Sequence, residues 1–412
     1  MISNHGHSHE KGTQTENGPR MNQKHITTAA YYLAFILLGL TVAADGPALL
    51  KLAEHTSSTL DQISLIFIFG SLGYLIGSYI GGRIYDRVPG HRFMSGVLIF
   101  LGIVIALVPV VSSRWMLLTI VLILGLAKGA LDVGCNTLLL WVHNETVGPF
   151  MNGLHAFFGV GSFIAPLIVA QVIAVTDDIS WVYWFFAVAA IPIAIWIWNL
   201  PSPAPRTVPA QHENAPFPIL PVITMVICFV LYVGGEAGYG AWIYTYAFKL
   251  KFGTEVTAAY LTSAFWGSFT LGRLLGIWVS MRARPLTILS IDFAGCLVSL
   301  GLILVFSQSA TLLWIGTILF GISQASIFPT FLTLAEERMH ITGTITGWFL
   351  VGAGLGGMIL PWLIGQAFVR IGAGAMIGII LVNVALNVLM LFVFTKASAT
   401  QKSLTERRAI AD

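Results

Sequence analysis

Long apolar runs dominate the chain, and short polar breaks containing proline or glycine separate them. A membrane-crossing helix needs about 20 mainly apolar residues, so each run of that length predicts one span. Twelve spans are predicted, at residues 27–50, 61–82, 92–111, 115–140, 149–174, 180–200, 217–246, 255–280, 285–306, 310–333, 343–368 and 373–395. The pattern therefore indicates an all-α polytopic membrane protein.

A proline-rich segment divides the spans into two sets of six. The predicted organisation is a polar cytoplasmic tail, a six-helix bundle, a cytoplasmic linker, a second six-helix bundle and a second cytoplasmic tail. These parts cover residues 1–26, 27–200, 201–216, 217–396 and 397–412, respectively.

The two bundles share sequence positions at a spacing close to half the chain. One set recurs after 199 residues and another after 195 residues, in matching spans. The first set is Gly73, Gly77 and Arg83, which return as Gly272, Gly276 and Arg282; the second is Gly159, Gly161 and Pro166, which return as Gly354, Gly356 and Pro361. Two sets at one period predict a duplicated six-helix unit and pseudo-symmetric bundles.

Composition supports the membrane assignment and excludes other classes. Hydrophobic residues make up 56% of the chain and charged residues 9%, whereas soluble domains carry about 25% charged residues. No basic run suggests a nucleic-acid partner, and the lipid bilayer is the expected surrounding. The sequence has no nucleophile-elbow, zinc-protease or P-loop motif, so an enzyme is not expected.

The distribution of basic residues predicts the orientation. Fourteen of the 21 lysines and arginines lie in segments on the side of the two termini. Because cytoplasmic segments carry the excess of Lys and Arg, both termini are predicted to be cytoplasmic in a cell membrane.

The stretch AKGALDVGCN places charged and amide side chains inside the fourth span. Lys128, Asp132 and Asn136 are four residues apart and share one helix face. A charge in mid-membrane costs about 2.5–3.5 kcal/mol, so it usually faces a cavity or is paired. Lys128 and Asp132 are therefore predicted to pair, either as a switch that a cation can open or as a static pair that orients helices.

Several motifs resemble one transporter superfamily. The loop GRIYDRVPGHR resembles the signature between spans two and three of the major facilitator superfamily, with Pro89 as an extra residue and His91 in place of arginine. ADGPALLKLAEHT, MNGLHAFFGVGSFIAP, YVGGEAGYGAWIYTYAF, AFWGSFTLGRLLG and IFPTFLTLAEER resemble its fucose–proton symporter branch and the sodium-dependent glucose transporter relatives. The resemblance implies the major facilitator fold, with spans 1, 4, 7 and 10 around a central cavity.

That resemblance also implies roles for the charged residues in these spans. Asp45 and Asp132 are expected to handle the coupling cation, and Lys128 is expected to compete as an internal cation. The coupling ion can be sodium or a proton, a sodium ion would bind at Asp45 and Asp132, and no other cofactor or metal is expected. The alternative for Asp45 is a helix cap beside Gly46 and Pro47.

The expected solute is a hexose-like monosaccharide, held by polar groups and aromatic rings. The predicted solute-binding residues are Asn136, Asn152, His155, Glu236, Trp242, Trp266 and Gln324. For the tryptophans the alternative is an interfacial anchor. His155 can instead relay protons, and both His155 and Gln324 can hydrogen-bond a neighbouring helix.

Asp86, Arg87 and Arg273 are predicted to act in gating, with Arg273 on the cytoplasmic side or in an ion pair. The expected function is cation-coupled symport of a sugar such as glucose by alternating access, carried out by a monomer. The alternative is an exporter of drugs or a flippase of amphipathic lipids, whose cavities are more apolar.

Overall fold

A computed structural model describes residues 18–204, 218–339 and 341–411, with side chains described from residue 23 to residue 399 within these ranges. The described part of the chain contains helices and no strand. The helices are α1 Gly18–Ala43, α2 Asp45–His55, α3 Leu60–Ile63, α4 Leu65–Tyr85, α5 Gly90–Leu107, α6 Arg114–His143, α7 Gly148–Thr176, α8 Ser180–Trp198, α9 Ile219–Lys249, α10 Glu255–Ser280, α11 Pro285–Val305, α12 Ala310–Gln324, α13 Ile327–Arg338, α14 Gly343–Arg370 and α15 Ala375–Ala411.

These helices form twelve membrane-spanning units, as the apolar pattern predicts. Three units are interrupted and consist of α1 with α2, α3 with α4, and α12 with α13. Eleven helical segments of the described residues are long and apolar enough to cross a membrane. The twelfth unit, α10, is 26 residues long. It is more polar because it carries Glu255, Arg273 and six serines and threonines.

The described helices extend beyond the first and last predicted spans. α1 begins at Gly18 and α15 continues to Ala411, so parts of the predicted tails 1–26 and 397–412 are helical. Polar residues mark where the membrane ends, and a helix can continue beyond that point. Residues 1–17, which include HGHSHE, and most of the predicted linker lie outside the described residues.

Glycines set the packing within each bundle, and the duplicated glycines make equivalent contacts. A Cβ at Gly73 or Gly77 of α4 would collide with backbone carbonyls of α6. In the second bundle, a Cβ at Gly272 of α10 would lie 2.8 Å from the Ile322 carbonyl oxygen of α12. Small residues let membrane helices approach to backbone contact. The sequence repeat therefore corresponds to a structural repeat.

Replacing Gly77 by valine is expected to reduce the stability of the folded protein strongly. The new Cβ would meet the Leu126 backbone, which cannot move aside as a side chain can. Overpacking of this kind costs about 1–3 kcal/mol or more. The measurement is the thermal unfolding midpoint of the purified variant. Gly96→Val is the control because a Cβ at Gly96 meets nothing within 4 Å; equal loss in both variants would contradict the packing argument.

The polar contacts between the two bundles lie on one side of the molecule. We call the side where α1 begins the tail side, and the opposite side, where α2 ends, the far side. On the far side Gln366 Nε2 donates to the Asp61 carbonyl oxygen at 2.9 Å, and Gln171 Nε2 donates to Tyr260 Oη at 2.6 Å. Among the described residues, the hydrogen bonds and ion pairs that join the bundles all lie on the far side. We call the region between the two bundles the central space; at its tail side, no hydrogen bond or ion pair between described residues joins the bundles.

Candidate functional site

The first spanning unit is interrupted between Ala43 and Asp45. Pro47 has no N–H, so it cannot donate to the carbonyl group four residues earlier, and the helix loses one bond there. Lys128 of α6 reaches this interruption: its Nζ donates to the Thr41 carbonyl oxygen at 2.9 Å and contacts Asp45 Oδ2 at 3.3 Å. The lysine side chain is buried, whereas that of Asp45 is 37% exposed.

The predicted pairing of Lys128 with Asp132 is therefore wrong. The interrupted helix offers the ammonium group a carboxylate and a backbone carbonyl together, and this pair of oxygens is a better partner than one carboxylate on the same helix. Asp132 instead accepts a hydrogen bond from the Tyr74 hydroxyl of α4 and one from Asn136 Nδ2 at 3.0 Å. Asp132 and Asn136 do lie together, as their spacing predicts.

The second bundle contains a corresponding acidic residue on its first helix. Glu236 is half-buried on α9 and interacts electrostatically with Arg273 and Tyr232. Arg273 also lies within electrostatic range of His155, which belongs to the other bundle. Its guanidinium carbon stands 4.6 Å from the centre of the Phe269 ring. Arg273 is therefore an electrostatic partner of Glu236, consistent with the ion-pair alternative for this residue.

Among the described residues, two of the buried polar groups that have no hydrogen-bond partner belong to predicted solute-binding residues. They are Oε1 of Gln324 and Nε1 of Trp266, whose side chains are almost fully buried. The glycines of α9 allow these side chains to approach that helix: a Cβ at Gly240 would lie 2.6 Å from the Trp266 ring, and one at Gly235 would lie 3.4 Å from Gln324 Nε2. Buried polar groups are nearly always hydrogen-bonded. This acceptor and this donor are therefore suited to a hydroxylated ligand.

The remaining predicted solute-binding residues have different surroundings. Asn152 is exposed and His155 half-buried on α7, and they share a face as predicted. Trp242 is fully buried; its Nε1 donates to the Pro361 carbonyl oxygen at 2.8 Å and its ring stacks on Phe368. For Trp242 the predicted solute contact is wrong in this conformation, because bundle packing uses both its ring and its N–H.

The motif GRIYDRVPGHR, between the second and third spanning units, does not link the two bundles through a described ion pair in this conformation. Asp86 and Arg87 follow the end of α4 and are both exposed, and neither forms an ion pair with another described side chain. A lock between bundles would form only when their tail-side ends approach each other. The gating role of these two residues remains a prediction.

Sequence reasoning missed Tyr74 and Tyr232. A tyrosine in an apolar helix has no pattern that separates a site residue from a packing residue, so Tyr74 carries no local signal. A signal did exist for the second bundle: TVAADG at residues 41–46 aligns with YVGGEA at residues 232–237, an offset of 191 residues. This alignment makes Asp45 and Glu236 counterparts and places Tyr232 opposite Thr41, which binds Lys128 through its carbonyl group.

The central space is nearly balanced in charge. The charged residues of the predicted cavity-lining spans are three acidic side chains, Asp45, Asp132 and Glu236, and one basic side chain, Lys128, and Arg273 of α10 is a second basic side chain. Lys128 is committed to Asp45, and Arg273 interacts with Glu236. Asp132 is left with hydrogen-bond donors and without an ion pair among the described residues.

Comparisons with known proteins agree with this architecture. The chain is 28% identical over 372 residues to the sodium-dependent glucose transporter 1A of Mus musculus, covering 81% of this chain and 88% of that protein. It is 28% identical to the sodium-dependent glucose transporter 1 of Homo sapiens, covering 81% and 71%. The Mus musculus major facilitator superfamily domain-containing protein 4A is 27% identical, with 83% and 86% covered.

A solved structure has the same fold. The crystal structure of a mutant of the nucleoside transporter NupG superposes with a TM-score of 0.71 at 15% identity, covering 91% of this chain and all of that one. The sequence profile described as Major Facilitator Superfamily matches residues 31–361. The twelve spanning units, the two repeated bundles and this match show that the chain belongs to the major facilitator superfamily, a family of membrane transporters rather than enzymes.

Proposed function

We propose that this transporter couples the uptake of a hexose-like sugar to a cation by alternating access. The observation that carries the proposal is the charge balance of the central space, where Asp132 lacks the cationic partner that Asp45 has. A buried carboxylate without a counter-charge favours binding of a proton or a metal cation. One bound cation would complete the balance around a neutral solute.

Lys128 serves as an internal cation in this scheme. A symporter must return empty, and Lys128 keeps Asp45 compensated during that step because its ammonium group occupies both Asp45 Oδ2 and the Thr41 carbonyl oxygen. A carboxylate and a free backbone carbonyl at a broken helix form the kind of site that coordinates sodium in other transporters. A coupling cation bound at Asp132 neutralises the carboxylate that could compete with Asp45 for Lys128, so the two carboxylates act together.

The solute site lies between α6 and α7 of one bundle and α9, α10 and α12 of the other. Carboxylate, amide and indole groups of Glu236, Gln324 and Trp266 can bind sugar hydroxyls, and Asn136 and Asn152 extend the polar wall. The ring of Trp266 supplies an apolar face. The names of the glucose-transporting relatives support a hexose as the solute. In the predicted orientation within the cell membrane, the tail side is cytoplasmic.

The proposal is tested by glucose uptake into proteoliposomes under an inward sodium gradient and, separately, an inward proton gradient. Accumulation under one gradient alone supports symport and identifies the ion. Accumulation under neither contradicts the proposal and favours the exporter or flippase alternative. Liposomes without protein and liposomes with a dissipated gradient are the controls.

Glu236→Gln is expected to raise the half-saturating glucose concentration about tenfold. The substitution preserves shape but removes the charge, and a hydrogen bond to a charged group contributes about 1.5–3 kcal/mol. Glu145→Gln is the matched control because Glu145 is exposed at the tail side. The measurement is the concentration dependence of uptake for both variants. An unchanged half-saturating concentration in Glu236→Gln would remove Glu236 from the solute site.

A further inference from the structure

We infer that Tyr74 is a positioning residue that holds Asp132 and sets the affinity for the coupling cation, an inference that rests on the proposed cation coupling. Its hydroxyl donates to Asp132 Oδ2, while Asn136 Nδ2 donates to Oδ1 at 3.0 Å. Each oxygen of this half-buried carboxylate therefore has a donor. Hydrogen bonds to the ionised form favour that form without a counter-charge.

The backbone fixes Tyr74 in this position. α4 and α6 approach closely, and a Cβ at Gly129 would collide with the Tyr74 carbonyl oxygen. Ser78, one turn further along α4, donates to the Gly129 carbonyl oxygen at 3.3 Å and interacts with the Tyr74 hydroxyl. Because this segment of α4 is packed tightly against α6, the Tyr74 hydroxyl has little freedom to move away from Asp132. It therefore stabilises the empty form of the cation site.

The other charged and titratable groups around Asp132 do not replace this donor. Lys128 of α6 is bound to Asp45 of α2 and to a carbonyl group. Cys135 of α6 is buried beside Asp132 and uncharged in its ordinary thiol form. On α7, His155 lies with Arg273 of the other bundle. A cation must therefore compete with Tyr74 and Asn136 for the carboxylate oxygens of Asp132.

Tyr74 also lies next to the contact between the bundles. The following residue, Leu75, packs over Gly354 of α14: a Cβ there would lie 2.6 Å from Leu75 Cδ2. A cation that changes the hydrogen bond between Tyr74 and Asp132 therefore acts on the helix that meets the other bundle. The same residue pair can link cation occupancy to the rocking of the bundles.

Tyr74→Phe is expected to lower the half-saturating cation concentration about tenfold. Removing the donor destabilises the empty carboxylate and so favours the cation-bound state, while the glucose KM at saturating cation stays unchanged. Tyr85→Phe is the matched control: Tyr85 is a buried tyrosine on the same helix, and its hydroxyl has no hydrogen-bond partner in the described part of the chain. A purely structural role for Tyr74 would lower the maximal rate and leave the cation midpoint in place.

Two readouts separate this inference from the proposed function. Cation titration of the intrinsic tryptophan fluorescence of the purified protein needs no sugar, and uptake measures the solute. A lower midpoint in Tyr74→Phe, with Tyr85→Phe at the wild-type midpoint, supports the inference, even if glucose proves to be the wrong solute. An unchanged midpoint overturns it, as does an equal shift in Tyr85→Phe. A wild-type protein with no response to sodium or protons overturns both proposals.

Discussion

Lys128→Gln is expected to abolish cation-driven accumulation of the solute and to lower the initial uptake rate about 100-fold. The ammonium group contacts Asp45 Oδ2 at 3.3 Å and the Thr41 carbonyl oxygen at 2.9 Å. Removing one member of a buried ion pair lowers the free energy of unfolding by about 3–5 kcal/mol, because the other charge is left uncompensated. The Asp45 side chain is 37% exposed. Water can therefore compensate part of its charge, and we expect a loss of unfolding free energy at the lower end of this range.

The partner variant tests whether Lys128 acts through Asp45. In Asp45→Asn with Lys128→Gln, both charges are absent and no stranded carboxylate remains, so the thermal unfolding midpoint should return towards that of the wild type. Accumulation should stay absent, since the internal cation is missing. Lys249→Gln is the control because this lysine is exposed at the far side. A double variant as unstable as Lys128→Gln would show that Lys128 has another essential partner.

Asp132→Asn is expected to abolish accumulation against a gradient while preserving exchange of solute across the membrane. The amide retains the size of the carboxylate and can still pair with Tyr74 and Asn136, so the local geometry is kept. Without the negative charge, the site no longer attracts a cation. The variant therefore resembles the loaded, neutral form, which can reorient with solute bound.

The measurements for Asp132→Asn are concentrative uptake and counterflow in the same proteoliposomes. Asp292→Asn is the control, since Asp292 is a buried carboxylate outside the central space, hydrogen-bonded to Ser326 Oγ at 2.5 Å. Asp292→Asn should retain accumulation. Loss of both activities in Asp132→Asn would indicate a solute-binding role. Full accumulation in that variant would exclude Asp132 from coupling.

The sequence identified the polar residues inside apolar spans, but it did not predict their hydrogen-bond and ion-pair partners. Asp45, Lys128, Asp132, Glu236 and Gln324 were identified because charged and amide groups are rare in a bilayer. Their spans were also predicted to line the cavity. In the structure Lys128 and Gln324 are buried and the three carboxylates are half-buried, which follows from the cost of exposing such groups to lipid.

Partners depend on contacts between distant parts of the chain. The prediction for Lys128 considered only residues on its own helix, where Asp132 is one turn away. The actual partners lie 83 and 87 residues earlier, at Asp45 and Thr41, and are available because the helix is interrupted before Pro47. The surroundings of Trp242 could not be predicted for the same reason, since they are formed by Pro361 and Phe368 of the distant helix α14.

By itself the sequence determined the membrane class, the spans, the duplicated bundles and the identity of the polar positions. These properties depend on the length and polarity of each segment relative to the bilayer, which are local. Only the tertiary structure decided which bundle ends are in contact, where Lys128 binds and that Tyr74 holds Asp132. Those outcomes depend on helix rotation, interruption and close packing, through which a side chain finds the oxygen or hydroxyl nearest in space rather than in sequence.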